Sequence, residues 1–275
     1  MKLGVIVSLN NADNIDAKFK TVRDYGFDYC QITAWNFDIL TDDVAKKIIE
    51  ACKKYSVKIS TFWCGWTGPR TWNFYEGNLT LGLVPSEYRF QRMKDLTFGS
   101  DFAKKLGVDK VATHVGFLPE NPTSSQYNEL IVAIRYVAAH CKANGQKFLF
   151  ETGQETPVTL RRAIEDIALD NLGINLDPAN LIMYGKGNPV DALDVFGEFV
   201  LDVHAKDGLY PTDGKKLGRE VKVGEGKVNF PALIKGLKKV GYDGVLTIER
   251  EISGEQQGID ILDTKKYLEN LLNEG

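Results

Sequence analysis

A chain of 275 residues with 43% hydrophobic and 26% charged residues has the composition of a globular protein with a substantial core. With 34 basic against 37 acidic residues the net charge is −3, and no run of Lys and Arg stands out, which argues against nucleic acid as a partner. The apolar run in the opening MKLGVIVSLNNADN is only about five residues, short for a signal-peptide core, and no stretch approaches the roughly 18 apolar residues of a membrane span. These features predict a cytoplasmic protein with no membrane partner, in which Cys30, Cys52, Cys64 and Cys141, lacking C-x-x-C spacing, are reduced and mostly buried.

Short β-rich runs alternate with helical runs along the whole chain. KLGVIVSL (2–9) reads as a strand, and IDAKFKTVRDYG has helical periodicity ending on Gly26, a stop signal. YCQITAW (29–35) is the next strand, DDVAKKIIEACKKY the next helix, and KISTFWC (58–64) the third strand. A long loop rich in Gly, Pro and Trp, GWTGPRTWNFYEGNLTLGLVP, precedes a helix from Ser86 to Leu106. The second half continues with KVATHVG (110–116), the helix YNELIVAIRYVAAHCKANG, KFLFETG (147–153) and PVTLRRAIEDIA. Then come LGINLDP (172–178), a helix around ALDVFGEF, VLDVHAKD (200–207), FPALIKGLKKVG, GVLTIERE (244–251) and ILDTKKYLENLL.

Eight strands, each followed by a helix, imply a parallel sheet. Strands such as FLF and VIV are apolar on both faces, as strands covered by helices should be. No Gly-rich phosphate loop follows the first strand, so the pattern favours a closed barrel over an open doubly wound sheet. The reading is α/β: a single (β/α)8 TIM barrel, one domain over residues 1–275, with no linker or low-complexity segment.

The active site of such a barrel lies at the C-terminal ends of its strands, so polar residues that end apolar strands carry the information. Glu151 follows KFLF, Asp177 follows GINL, His204 follows LDV and Glu249 follows LTI, at intervals of 26, 27 and 45 residues. Each interval is one strand-to-strand step, so the four side chains converge on one point. Three buried carboxylates facing one another repel, and a divalent cation resolves that conflict. Oxygen-rich coordination with one imidazole suits manganese, magnesium or cobalt better than a structural zinc site.

The segments FETGQE, NLDPANL, VHAKDG, VGEGKVNFPALI and GYDGVLTIERE resemble the xylose-isomerase-like barrel family of sugar phosphate isomerases and epimerases, over essentially the whole chain. In ketose 3-epimerases of that family a Glu, Asp, His, Glu quartet holds one metal ion, usually manganese. The resemblance assigns those positions to Glu151, Asp177, His204 and Glu249, and makes Glu151 and Glu249 the acid/base pair. The implied cofactor is one divalent ion, manganese first, with magnesium, cobalt or zinc as alternatives. Chemistry agrees with the assignment. Charge developing beside a sugar carbonyl as an enediolate forms is stabilised by a cation, and two carboxylates on opposite sides remove and return the proton.

Further candidates for substrate contact are His114, which resembles the family's H-x-G position, Lys206, Glu155, Asn180, Trp66 and Arg70, with Trp63 and Trp72 as part of a sugar-facing wall. His140 reads as a helix-packing or surface residue. Two positions depart from the ketose 3-epimerases: Asn180 stands where they carry His, and Tyr210 where they carry Arg. The implied activity is a metal-dependent isomerase or epimerase of a small keto sugar. The alternatives are a lyase, hydratase or epimerase acting on a 3-keto-glycoside, and a non-catalytic sugar-binding barrel. A DNA-repair endonuclease with a trinuclear zinc site needs more histidines than the 3 present. A homo-oligomer is compatible with the resemblance.

Overall fold

In a computed structural model, which describes residues 1–273, the elements follow the alternation in the sequence. They are β1 (Lys2–Leu9), α1 (Ile15–Asp24), β2 (Tyr29–Ala34), α2 (Asp42–Tyr55), β3 (Lys58–Cys64), α3 (Gly77–Thr80), α4 (Ser86–Lys105), β4 (Lys110–Thr113), α5 (Ser125–Ala143) and β5 (Lys147–Glu151). There follow α6 (Pro157–Ile167), β6 (Leu172–Leu176), α7 (Pro178–Met183), α8 (Pro189–Phe196), β7 (Val200–Ala205), β8 (Asp207–Leu209), β9 (Arg219–Val221), α9 (Phe230–Lys239), β10 (Val245–Ile248) and α10 (Glu255–Asn273). Eight strands close in the order β1-β10-β7-β6-β5-β4-β3-β2, all parallel, so the chain folds as a (β/α)8 barrel.

Several strands end sooner than the sequence suggests. The runs expected to reach Gly116, Gly153, Pro178 and Glu251 stop at Thr113, Glu151, Leu176 and Ile248. At Asp177 the reason is local: its side chain accepts from the Asn180 amide and caps α7, with Pro178 at the first helical position. The run expected to reach Asp207 breaks at Lys206, and β8 then pairs antiparallel with β9 as a hairpin above the mouth. Asp207 anchors that excursion. Its buried carboxylate accepts from the backbone amides of Gly208 (2.8 Å), Gly224 (3.0 Å), Gly226 (2.9 Å) and Val228 (3.0 Å). A Cβ at position 226 would come within 2.0 Å of Asp207 Oδ1, which explains the second glycine of VGEGK.

The main core lies between the outer faces of the strands and the helices, where residues such as Val5, Phe62, Phe148 and Ile174 meet Phe19, Ile48, Phe102 and Leu160. Helix α2 shows how the sequence sends a face there. Thr41 caps it, and Val44, Ala45, Ile48 and Ala51 form the buried stripe. Inside the barrel lies a polar layer instead: Gln31, Thr61, Asn175, Asp202 and Thr247 are all fully buried. The described residues contain no helix long and apolar enough to cross a membrane. All four cysteines are free.

Candidate active site

Above the polar layer, the strand ends bring the quartet together. One ligand atom from each of Glu151, Asp177, His204 and Glu249 lies within 4.8 Å of all the others. His204 Nδ1 is the hub, 3.1 Å from Glu249 Oε2, 3.4 Å from Glu151 Oε1 and 3.6 Å from Asp177 Oδ2. His204 Nδ1 and Asp177 Oδ2 are buried and have no hydrogen-bond partner. Buried polar atoms are normally paired, so two such atoms aimed into one acidic cluster fit a cation seated among them. These four residues could therefore hold a divalent ion.

The electrostatics are those of a site balanced by borrowed protons. Burial alone would raise the Glu151 carboxyl, but the His114, His204 and Lys206 charges hold it down to about 2. Burial alone would lower the His204 imidazole, yet Glu249 and Glu151 outweigh it and lift His204 well above its ordinary range. Lys206 is likewise raised, its burial overcome by Glu249, Glu251 and Asp177. Its Nζ lies 2.7 Å from Glu251, 3.2 Å from Glu249 and 3.6 Å from Asp177. Ligation through Nδ1 must displace a proton from His204, so metal uptake and proton release are linked.

The opposite side of the mouth is aromatic. Trp35, Trp63, Trp72 and His114 line a cavity of about 930 Å3 together with Asn180, Tyr184, Lys206 and Leu217 of the β8–β9 loop. Trp35 and Trp63 lie 5.0 Å apart and Trp72 and His114 5.3 Å apart between ring centroids. The indole N–H of Trp63 donates to Glu151 Oε2, tying the wall to the quartet. The loop that carries Trp72 is held from below by Arg92, a fully buried side chain that donates to the carbonyls of Thr67 (3.2 Å), Gly82 (2.6 Å) and Pro69 (2.7 Å).

The other expected contacts divide. His114 Nε2 is 3.4 Å from Glu151, and Asn180 donates to Glu151 at 3.4 Å, so both sit on the cavity wall beside the quartet. Trp66 does not face the cavity: it is 1% exposed and packs behind Trp35 and Trp63 with Leu81, Ala112 and Leu149. Arg70 stacks its guanidinium 4.4 Å over Trp35 and is absent from the lining. Glu155 is buried with neither carboxyl oxygen hydrogen-bonded, and it too stands outside the lining. None of these three residues lines the cavity: packing occupies Trp66, stacking Arg70 and burial Glu155. Tyr210 is exposed on the hairpin and does not line the cavity. His140 pairs with Asp101 at the surface, 2.7 Å away.

Trp35 and Glu251 were absent from the sequence-based candidates. Trp35 directly follows β2, the same kind of position as the quartet, and that signal was available. Glu251 is half of the GYDGVLTIERE ending, but nothing in the sequence tells which glutamate Lys206 will meet.

The sequence matches the xylose isomerase-like TIM barrel family over residues 19–270. The chain belongs to this family. Among solved structures it is similar to a xylose isomerase domain protein from Planctomyces limnophilus, 33% identical, with a TM-score of 0.92 over 99% of this chain and 98% of that one. A D-tagatose 3-epimerase-like protein is 22% identical, with a TM-score of 0.75 over 99% and 97% of the two chains. The 3-keto-D-glucoside 4-epimerase of E. coli is 17% identical, with a TM-score of 0.71 over 98% of each. At those two identities the likeness is one of fold.

Proposed function

We propose that this protein is a divalent-metal-dependent isomerase or epimerase of a small keto sugar, with Glu151, Asp177, His204 and Glu249 as metal ligands and Glu151 and Glu249 as proton carriers. The observation that carries the reading is the pair of unpartnered buried atoms, His204 Nδ1 and Asp177 Oδ2, inside a cluster of three carboxylates under an aromatic-walled cavity. A non-catalytic sugar-binding barrel has no use for such a cluster. Membership of the family and the sugar epimerases among its neighbours in fold point the same way.

A bound divalent ion would supply Lewis-acid stabilisation of the charge that develops on a substrate carbonyl oxygen. The protein's own groups do the rest. One glutamate takes the proton from the carbon beside the carbonyl, and the other returns a proton to the opposite face. Return to the same carbon gives the epimer, and return to the adjacent carbon gives the aldose–ketose isomer. Lys206 and Asn180, on the cavity wall, would orient substrate oxygens, and Trp35 and Trp72 would cover the C–H face of the ring. Manganese, magnesium or cobalt suits the three-carboxylate, one-imidazole donor set.

A second reading, an epimerase or lyase acting on a 3-keto-glycoside, is favoured by one feature. The cavity does not end at the quartet: its lining continues to Lys18 and Tyr25 on the side of α1 and to Gln257 and Ile261 on α10, which leaves room for a substituent on the sugar. Asn180 and Tyr210 in place of the His and Arg of ketose 3-epimerases agree with that.

The test is a panel of free ketoses and keto-glycosides with manganese in D2O, followed by NMR. We expect deuterium in the carbon beside the carbonyl for one class of substrate, loss of exchange on chelation, and return on adding manganese or cobalt. Full exchange by thoroughly metal-free protein would rule the metal-dependent mechanism out.

A further inference from the structure

We propose that Asp202 and Gln31 form a buried relay that keeps the proton of His204 on Nε2, so that Nδ1 faces the carboxylates as a metal ligand. The inference rests on the metal reading proposed above and assigns a positioning role to two residues that touch neither metal nor substrate.

The argument starts from the group with the least choice. Asp202, on β7, is fully buried, and everything around its carboxylate is a donor: the hydroxyl of Thr61 and the Val203 amide (3.0 Å), with the Lys110 ammonium 3.9 Å away. An ionised carboxylate only accepts. Gln31, across the barrel on β2 and also fully buried, places its Nε2 3.4 Å from Asp202 Oδ2. The opposite amide orientation would set a carbonyl oxygen against the carboxylate, a repulsion in a medium that screens poorly. Asp202 therefore fixes which end of Gln31 points up. That end is Oε1, 2.8 Å from His204 Nε2. An amide oxygen only accepts, so Nε2 must keep its hydrogen, and Nδ1 is the nitrogen that gives up a proton to offer its lone pair to the metal.

A second amide meets the same demand once its two ends are exchanged. Asn175 on β6 lies 3.0 Å from the same Nε2 through its Nδ2 atom, while its Oδ1 is buried without a partner. Exchanging the two ends of that amide turns a donor–donor contact into a hydrogen bond and uses the idle oxygen. The register sets these groups in one layer below the quartet: Asn175 pairs with Asp202 across β6–β7, and Gln31 with Thr61 across β2–β3. Ring nitrogens of metal-bound histidines are commonly fixed by a carboxylate or carbonyl on the far side. Here the carboxylate acts one residue removed, and Gln31 converts its demand for a proton into an acceptor.

The experiment measures metal affinity and the ring itself. Manganese binding is followed by calorimetry in wild type, Gln31→Met, Asp202→Asn and the control Thr61→Val, which removes a donor to Asp202 while leaving the relay in place. The first two should lose about 10–100-fold in affinity, the range for lost partners of metal-bound histidines, and the control should stay near wild type. In 15N-histidine-labelled, zinc-loaded wild type, where only 3 histidines contribute signals, His204 should show a proton on Nε2 and none on Nδ1. A proton found on Nδ1 overturns the relay even if both variants fail to fold. Wild-type affinity in both folded variants overturns the relay alone. A wild type that takes up no metal overturns it together with the metal reading.

Discussion

Strands β5, β6, β7 and β10 deliver Glu151, Asp177, His204 and Glu249 to one side of the barrel mouth, whereas β2, β3, β4 and the long loop after β3 deliver Trp35, Trp63, His114 and Trp72 to the other. The acidic side is made of strand-end residues whose positions follow from the barrel's repeat. Its charges are fixed to within 4.8 Å of one another, and two of its atoms lack partners. The aromatic side is partly loop-borne, and its rings pair at 5.0–6.4 Å in tilted or edge-on contacts. Under the proposed function, the difference separates two jobs. Groups that hold a cation and move protons need geometry set by the scaffold, while a wall that covers a sugar ring needs area and shape.

If that division holds, changes on the two sides differ in kind. Glu249→Gln keeps shape and one oxygen but removes a base, and turnover should drop by at least 10²–10⁴-fold, the range for general acid–base catalysis. Trp72→Ala should act mainly on KM, by about tenfold or less, as expected for an aromatic contact of roughly 1 kcal/mol. Steady-state kinetics on variants of verified metal content distinguish them. A Trp72→Ala enzyme as impaired in kcat as Glu249→Gln would collapse the comparison.

Trp63 is where the sides touch, so it sharpens the contrast. Its indole N–H supports Glu151, and Trp63→Phe removes that donor while keeping most of the ring. A hydrogen bond to a charged group contributes about 1.5–3 kcal/mol. The variant should lose about 10–100-fold in kcat/KM, between the two effects above. A value equal to wild type would mean that Trp63 serves only as wall.

The same contrast describes what could be read in the sequence. The quartet was legible because each member interrupts an apolar strand at one repeat interval, and the structure brings the four together. The polar layer left a comparable trace, Gln31 within YCQITAW and Asp202 within VLDVHAKD, but an isolated polar residue in a buried strand does not say what it meets. The loop residues were not legible at all. Trp66 and Trp72 look alike in GWTGPRTW, and contacts from outside that segment, among them the three carbonyl bonds from Arg92 and the bonds of Thr67 to Asp95, shape the loop in which one is buried and the other lines the cavity. Strand ends were overrun because caps such as Asp177 serve the next helix rather than the strand.

Glu151 and Glu155 offer the finest form of the comparison: two glutamates four residues apart, both buried. Glu151 meets cations and is held at about 2, whereas at Glu155 burial prevails over the pull of nearby backbone amides and pushes the carboxyl to about 8. The sign follows from linkage. Folded Glu155 keeps its proton up to about pH 8, while in the unfolded chain it ionises near its ordinary 4.5. Between those values the unfolded state binds fewer protons, so this group erodes stability as pH rises, by about 1.4 kcal/mol per unit. Glu155→Gln removes the titration. Its melting temperature relative to wild type should therefore climb from pH 5 to pH 7.5, by roughly 3 °C per unit for a protein of this size. Thermal melts of metal-free protein across that range measure it directly. A pH-independent difference between the two proteins would show that Glu155 ionises in the fold as it does in the unfolded chain.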